Sequence, residues 1–88
     1  MMEDQSLLSL QARLDAYYCW PSLYPFKFIA PREKAGELTV LFGVAPVKTR
    51  FSKNARYVSL TAEIEMASSE EVISLYRQAL QIEGVLAL

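Results

Sequence analysis

From Tyr57 to Met66 the chain alternates apolar and polar residues. Val58, Leu60, Ala62, Ile64 and Met66 take every second place, and Tyr57, Ser59, Thr61, Glu63 and Glu65 fall between them. A period of two describes a strand with one buried and one polar face. The period then changes. Ser68-Ser69-Glu70-Glu71 has the Ser-x-x-Glu form of a capping box, and Val72, Leu75, Tyr76, Ala79 and Ile82 continue at helical spacing. Gly84 is placed to end that helix, and Val85-Leu86-Ala87-Leu88 reads as a last strand, apolar on both sides.

The earlier part of the chain divides in the same way. Leu7, Leu10, Leu14 and Tyr17, widened by Leu8 and Tyr18, predict a helix over 5–18, capped by Asp4 or Ser6. It must stop before Pro21, because the residue before a proline is pushed toward extended conformations. Tyr24–Ala30 predicts a strand with Phe26, Phe28 and Ala30 on one face and Lys27 and Ile29 on the other, with Pro25 near its start. Pro31 opens a helix over 32–42 whose apolar side is Ala35, Leu38, Leu41 and Phe42, ended by Gly43. Val47–Phe51 predicts a strand, and Ser52-Lys53-Asn54-Ala55 a hairpin loop with Asn54 at positive φ. A four-residue loop sets Phe51 opposite Arg56 and Arg50 opposite Tyr57. Val47 and Thr49 then share the buried face with Val58 and Leu60.

After residue 23 the order is strand, helix, strand, strand, helix, strand. Right-handed crossovers put both helices on one side of the sheet. The fold class expected is therefore α+β, a ferredoxin-like βαββαβ sandwich with a four-stranded antiparallel sheet, preceded by an extra N-terminal helix. The first and third strands are central. The division expected is an amphipathic helix and aromatic linker over 1–20 and a ferredoxin-like domain over 21–88. Ile29 and one of Leu86 or Leu88 fall on the sheet face that the two helices leave bare, and the N-terminal helix is the preferred cover for it.

Composition narrows the function classes. The 88 residues carry no histidine, one cysteine and a net charge of −1. Lack of histidine removes the commonest general base and metal ligand. Cys19, between Tyr18 and Trp20, forms no internal disulfide and is expected to pack rather than react. No basic excess is present to neutralise phosphates, which disfavours nucleic acid. The acidic start Met1-Met2-Glu3-Asp4 and the lack of a long apolar run suggest a cytoplasmic protein with no membrane partner.

Several segments taken together resemble the YbeD-like family of small bacterial proteins of unknown function. They are Tyr24-Pro-Phe-Lys-Phe-Ile-Ala-Pro31, Arg50-Phe-Ser52, Tyr57-Val-Ser-Leu-Thr-Ala-Glu63, Ser69-Glu-Glu-Val-Ile73 and Ile82-Glu-Gly-Val-Leu-Ala-Leu88. The resemblance covers about residues 20–88. It implies a ferredoxin-like domain similar in shape to the ACT regulatory domains that bind small effectors, and it brings no catalytic residue. The chain departs from the family in its Lys53-Asn54-Ala55-Arg56 hairpin and in Trp20-Pro21, where Phe-Pro is common.

The candidate ligand or partner surface is Lys27, Arg50, Ser52, Tyr57, Ser59 and Glu63, with Lys27, Arg50 and Ser52 converging at one end of the sheet as an anion site. The bland reading is a solvated face on which the cations pair with Glu63 across strands. Glu63 and Glu65, two apart, share that face; acid–base work or cation binding is a weaker reading than surface polarity. A candidate interface is Leu7, Leu10, Leu14, Tyr17 and Trp20 on and after the first helix. No catalytic residue, metal or cofactor is expected. The function expected is a non-enzymatic regulatory or protein-interaction domain, its partner another protein or a copy of itself, with a small effector possible. The alternative is a protein-only adaptor or homodimerising module without a ligand. An acylphosphatase-like hydrolase is remote: Arg32 could hold a phosphate, but the rest of that machinery is not evident.

Overall fold

The apolar alternation of two segments forms the centre of the molecule. In the computed structural model, which describes residues 4–88, the elements are α1 (Asp4–Tyr17), β1 (Ser22–Pro31), a 3-10 turn (Arg32–Lys34), α2 (Ala35–Phe42), β2 (Lys48–Phe51), β3 (Tyr57–Met66), α3 (Ser69–Leu80) and β4 (Leu86–Ala87). β1 and β3 are antiparallel along their whole lengths, from Ser22 opposite Met66 to Pro31 opposite Tyr57. The sheet order is β2-β3-β1-β4. This is the expected ferredoxin-like α+β arrangement, with an added first helix.

Phe26, Phe28, Ala30, Val58, Leu60 and Ala62 point to one side of the sheet and are buried. α2 and α3 cover that side. The Phe42 ring lies 6.1 Å from Phe28 and the Tyr76 ring 5.4 Å from Phe26. Ser68 caps α3: its hydroxyl accepts from the Glu71 N–H at 3.3 Å, and the Glu71 carboxylate reaches back to the Ala67 N–H at 2.9 Å. One orphan donor of the first turn and the backbone N–H just before the cap are thereby satisfied. Pro25 sits inside a central strand without penalty. Lys27, of the same parity, turns its carbonyl to β4 and accepts from the Leu88 N–H at 2.9 Å. Pro25 therefore aims its donor-less nitrogen to that side, beyond the end of β4.

Gly84 shapes the return of the chain into β4. Its φ is +84°, and a Cβ there would come within 2.6 Å of the Pro31 Cγ. The helix itself ends earlier, at Leu80, so Gly84 serves the turn that follows. β4 is short, but Val85 beside it is buried, and Leu86 and Leu88 share the reverse side of the sheet. Not one but both leucines lie there.

Several expectations are corrected. α1 does not cover the bare sheet face; it lies along α3 on the helical side. Leu7 and Leu14 join the same core as Phe26 and Leu60, and Gln11 Nε2 donates to the buried Ser69 hydroxyl at 3.3 Å. The cause is chemical: α3 offers an apolar flank that includes buried Ile73, whereas the reverse sheet face offers Lys27, Ser59, Thr61 and Glu63. Ser6 lies inside α1 and is not its cap, and the Asp4 side chain lies outside the described residues.

The hairpin register differs by two residues, with Phe51 opposite Val58 and Arg50 opposite Ser59. A shift of two keeps every side chain on its expected face. Ala55, not Asn54, takes the positive φ of 60°. Asn54 instead uses its side-chain oxygen to accept from the Arg56 N–H at 3.2 Å. Thr49 is on the helical side yet exposed, because it belongs to an edge strand that no helix overlies. Cys19 is exposed rather than packed. Its neighbours Tyr18 and Trp20 turn inward and stack at 5.3 Å, which directs the residue between them outward.

The Tyr24 and Tyr76 hydroxyls share a buried hydrogen bond at 3.0 Å. Burial pushes the Tyr76 phenol well above its ordinary value of 10.0, and the bond to Tyr24 adds to the shift. A raised folded-state value means that the stability is fully present below pH 10.0 and is lost as pH rises above it. Urea unfolding of the wild type should therefore show stability falling above that pH by at most about 1.4 kcal/mol per pH unit from this group, and Tyr76→Phe should flatten the fall. Leu14→Ala should cost about 2–5 kcal/mol, while Leu86→Ala should stay within about 0.5 kcal/mol of wild type. Gly84→Ala should speed hydrogen exchange of the Leu88 amide at Lys27, since β4 must give way to a side chain the turn has no room for.

Candidate functional site

The reverse face of the sheet is assembled by the register. One row runs Lys48, Thr61, Lys27, with the Leu88 amide bound to the Lys27 carbonyl. The next row, toward the hairpin, runs Arg50, Ser59, Ile29, Leu86. Lys48 and Lys27 thus flank Thr61, roughly 10 Å apart at two strand spacings. Toward the other end, Glu63 stands opposite Pro25 and Glu65 opposite Leu23. Charge is therefore separated along the strands: three cations occupy the middle and hairpin end, two carboxylates the far end.

Lys27, Arg50, Tyr57, Ser59 and Glu63 all lie on this face, as expected. Lys27 and Arg50 occupy adjacent rows. Ser52 is drawn away from a binding role. Its hydroxyl donates to Asn54 Oδ1 at 3.1 Å and accepts from the Tyr57 N–H at 3.1 Å, so it builds the turn. The Ser59 hydroxyl donates to the Arg50 carbonyl at 3.4 Å. Glu63 is diagonal to Lys27 rather than opposite it, and among the described residues neither Lys27 nor Arg50 forms an ion pair with it. The expected cross-strand pairing is absent there because the register sets Thr61 and Ser59, not Glu63, beside the cations.

An apolar strip borders the charges. Leu86 and Leu88 are about three-fifths exposed, with half-buried Ile29 beside Leu86; Leu23, equally exposed, stands apart at the carboxylate end, opposite Glu65. A hollow of about 470 Å³ on the same face is walled by Pro25, Pro46, Lys48, Thr61 and Glu63. Lys48 lies outside the sequence-based site although it shares a strand and a face with Arg50, two residues on; that spacing of two is the signal that marks it.

The interface expected around α1 is largely consumed inside the molecule. Leu7 and Leu14 are core residues, and Leu10 is half-buried. Trp20 stacks on Tyr18 and donates its indole N–H to Asp15 at 3.1 Å. Tyr17 alone of that group projects outward, 87% exposed. The period of the stripe identified a buried face correctly, but it could not say whether the covering surface was this chain or another.

Arg32, which the acylphosphatase reading assigns to the phosphate, lines a hollow at the hairpin end together with Asn54. The Asn54 oxygen is already engaged by Ser52 and the Arg56 N–H. Among the described residues no three His, Cys, Asp or Glu side chains gather as a metal site, and no helix is long and apolar enough to cross a membrane.

The chain matches the family profile described as "Protein of unknown function (DUF493)" over residues 15–88. That span contains both the Phe26-Lys27-Phe28 strand and Glu83-Gly84-Val85. The chain is 28% identical over 83 residues to a "UPF0250 protein" of Shewanella piezotolerans (strain WP3 / JCM 13877), covering 86% of this chain and 94% of that protein. No solved structure matches it. The chain therefore belongs to the DUF493 family, small bacterial proteins of unknown function.

Proposed function

We propose that the protein is a non-catalytic interaction domain, working in the cytoplasm, that receives another protein on the reverse face of its sheet. One observation carries this reading. The chain has a helix to spare, places it on the opposite side, and leaves uncovered a face that combines an apolar strip with cations. A partner suited to it brings apolar side chains to Ile29, Leu86 and Leu88 and carboxylates to Lys27, Lys48 and Arg50. Contact of this composition combines desolvated apolar area with charge complementarity that sets orientation. The residue types support the non-catalytic reading, since no histidine stands ready as a base.

Charge separation favours a second reading, in which the partner is a copy of the same chain. A two-fold axis across the strands would lay the cationic rows of one face on Glu63 and Glu65 of the other, and a two-fold interface must be self-complementary in this sense.

The double variant Ile29→Glu, Leu86→Glu tests both readings, because it alters one half-buried and one exposed position of the reverse face and leaves the core on the helical side intact. Affinity capture from native cytosol by the wild type should yield one dominant protein, or sedimentation velocity a dimer, and the double variant should lose it by at least tenfold. Deleting α1 is a poor test, since Leu7 and Leu14 belong to the core. Equal capture and equal sedimentation by wild type and double variant would contradict the proposal.

A further inference from the structure

The pairing of β1 with β3 has a consequence beyond the sheet face. β1 ends at Pro31 opposite Tyr57, where β3 begins, so the residues just outside the ladder, Arg32 and Arg56, meet. The Arg32 N–H donates to the Arg56 carbonyl at 2.9 Å. Both side chains line a hollow of about 390 Å³, together with Glu33, Asn54 and Tyr57. That volume falls in the range of small-molecule pockets. Among the described residues neither guanidinium forms an ion pair, the salt bridge of this region being Lys34 with Glu37 at 3.3 Å.

The backbone that carries the donors is held by hydrogen bonds of the hairpin. The Ser52 N–H donates to the Tyr57 carbonyl at 2.8 Å, and Asn54 Oδ1 accepts from the Arg56 N–H at 3.2 Å. With its oxygen so engaged, Asn54 has its amide N–H groups left to donate. Each guanidinium offers five N–H donors in a planar fork, the geometry that matches two oxygens of a carboxylate or phosphate. The Tyr57 hydroxyl can add another. Glu33 supplies the single carboxylate of the hollow, suited to a hydroxyl or ammonium on the same ligand.

We propose that this hollow binds the oxyanion group, phosphate or carboxylate, of a small polar metabolite between Arg32 and Arg56. The site uses residues other than the apolar strip and cation rows of the sheet face, so it stands or falls independently of the partner reading.

The test is a ¹H–¹⁵N NMR titration of the full chain at low ionic strength, with inorganic phosphate in one arm and malonate in another, and sodium chloride of matched ionic strength as control. Saturable shifts confined to the amides of Arg32, Glu33, Ala55, Arg56 and Tyr57 are expected in at least one arm, and the responding arm identifies the oxyanion. Arg32→Gln and Arg56→Gln should each weaken binding about tenfold or more. Lys34→Gln, which removes a nearby cation outside the hollow, should leave affinity unchanged. Both arginines are exposed, and the remaining resonances verify that the variants stay folded. Shifts that fail to saturate in both arms, that chloride reproduces, or that persist in the Arg32→Gln, Arg56→Gln double variant would overturn the proposal.

Discussion

The ten-residue antiparallel ladder between β1 and β3 is the constraint from which the rest of the molecule follows. Because successive side chains alternate, fixing this one register decides at once which residues face the helices and which face outward. Phe26 and Phe28 come to lie beside Leu60 and Ala62, giving α2 and α3 an aromatic and aliphatic floor. The same register sets Lys27 beside Thr61, Ile29 beside Ser59, and the two arginines outside the ladder against each other. Core, open face and hairpin hollow are three consequences of one pairing.

Much of this was legible in the chain because strand periodicity is local. The alternation from Tyr57 to Met66 specified β3 to the residue, and the Ser68–Glu71 cap fixed where α3 begins. What depended on non-local geometry was less legible. The hairpin register differs by two from that of a four-residue loop over 52–55, and Asn54 serves as an acceptor rather than as the residue at positive φ. The docking of α1 was misplaced because an apolar stripe reports that a face is buried but not against what; Ile73 and Ser69 on the flank of α3 supplied the answer. The Arg32 and Arg56 pair is readable in principle, as the residues that flank one end of an antiparallel ladder once the end of β1 is aligned with the start of β3.

The functional account follows from an asymmetry. Among the described residues all three helices lie on one side of a sheet whose other side carries Ile29, Leu86 and Leu88 beside three cations. A purely solvated face would have little use for leucines on a short edge strand, where exposed apolar residues invite association. The family match places the chain among proteins whose role is undefined, and the proposals of a partner face and an oxyanion hollow give that family a physical starting point.

Solvent paramagnetic relaxation of methyl resonances, using a neutral soluble gadolinium chelate, tests the arrangement most directly. The account predicts strong relaxation of the Leu23, Leu86 and Leu88 methyls and protection of those of Leu7 and Leu14. Protection of Leu86 and Leu88 in the monomer, with Leu7 and Leu14 relaxed, would mean that the first helix crosses the sheet's reverse face or floats free of the core, and the account would be wrong.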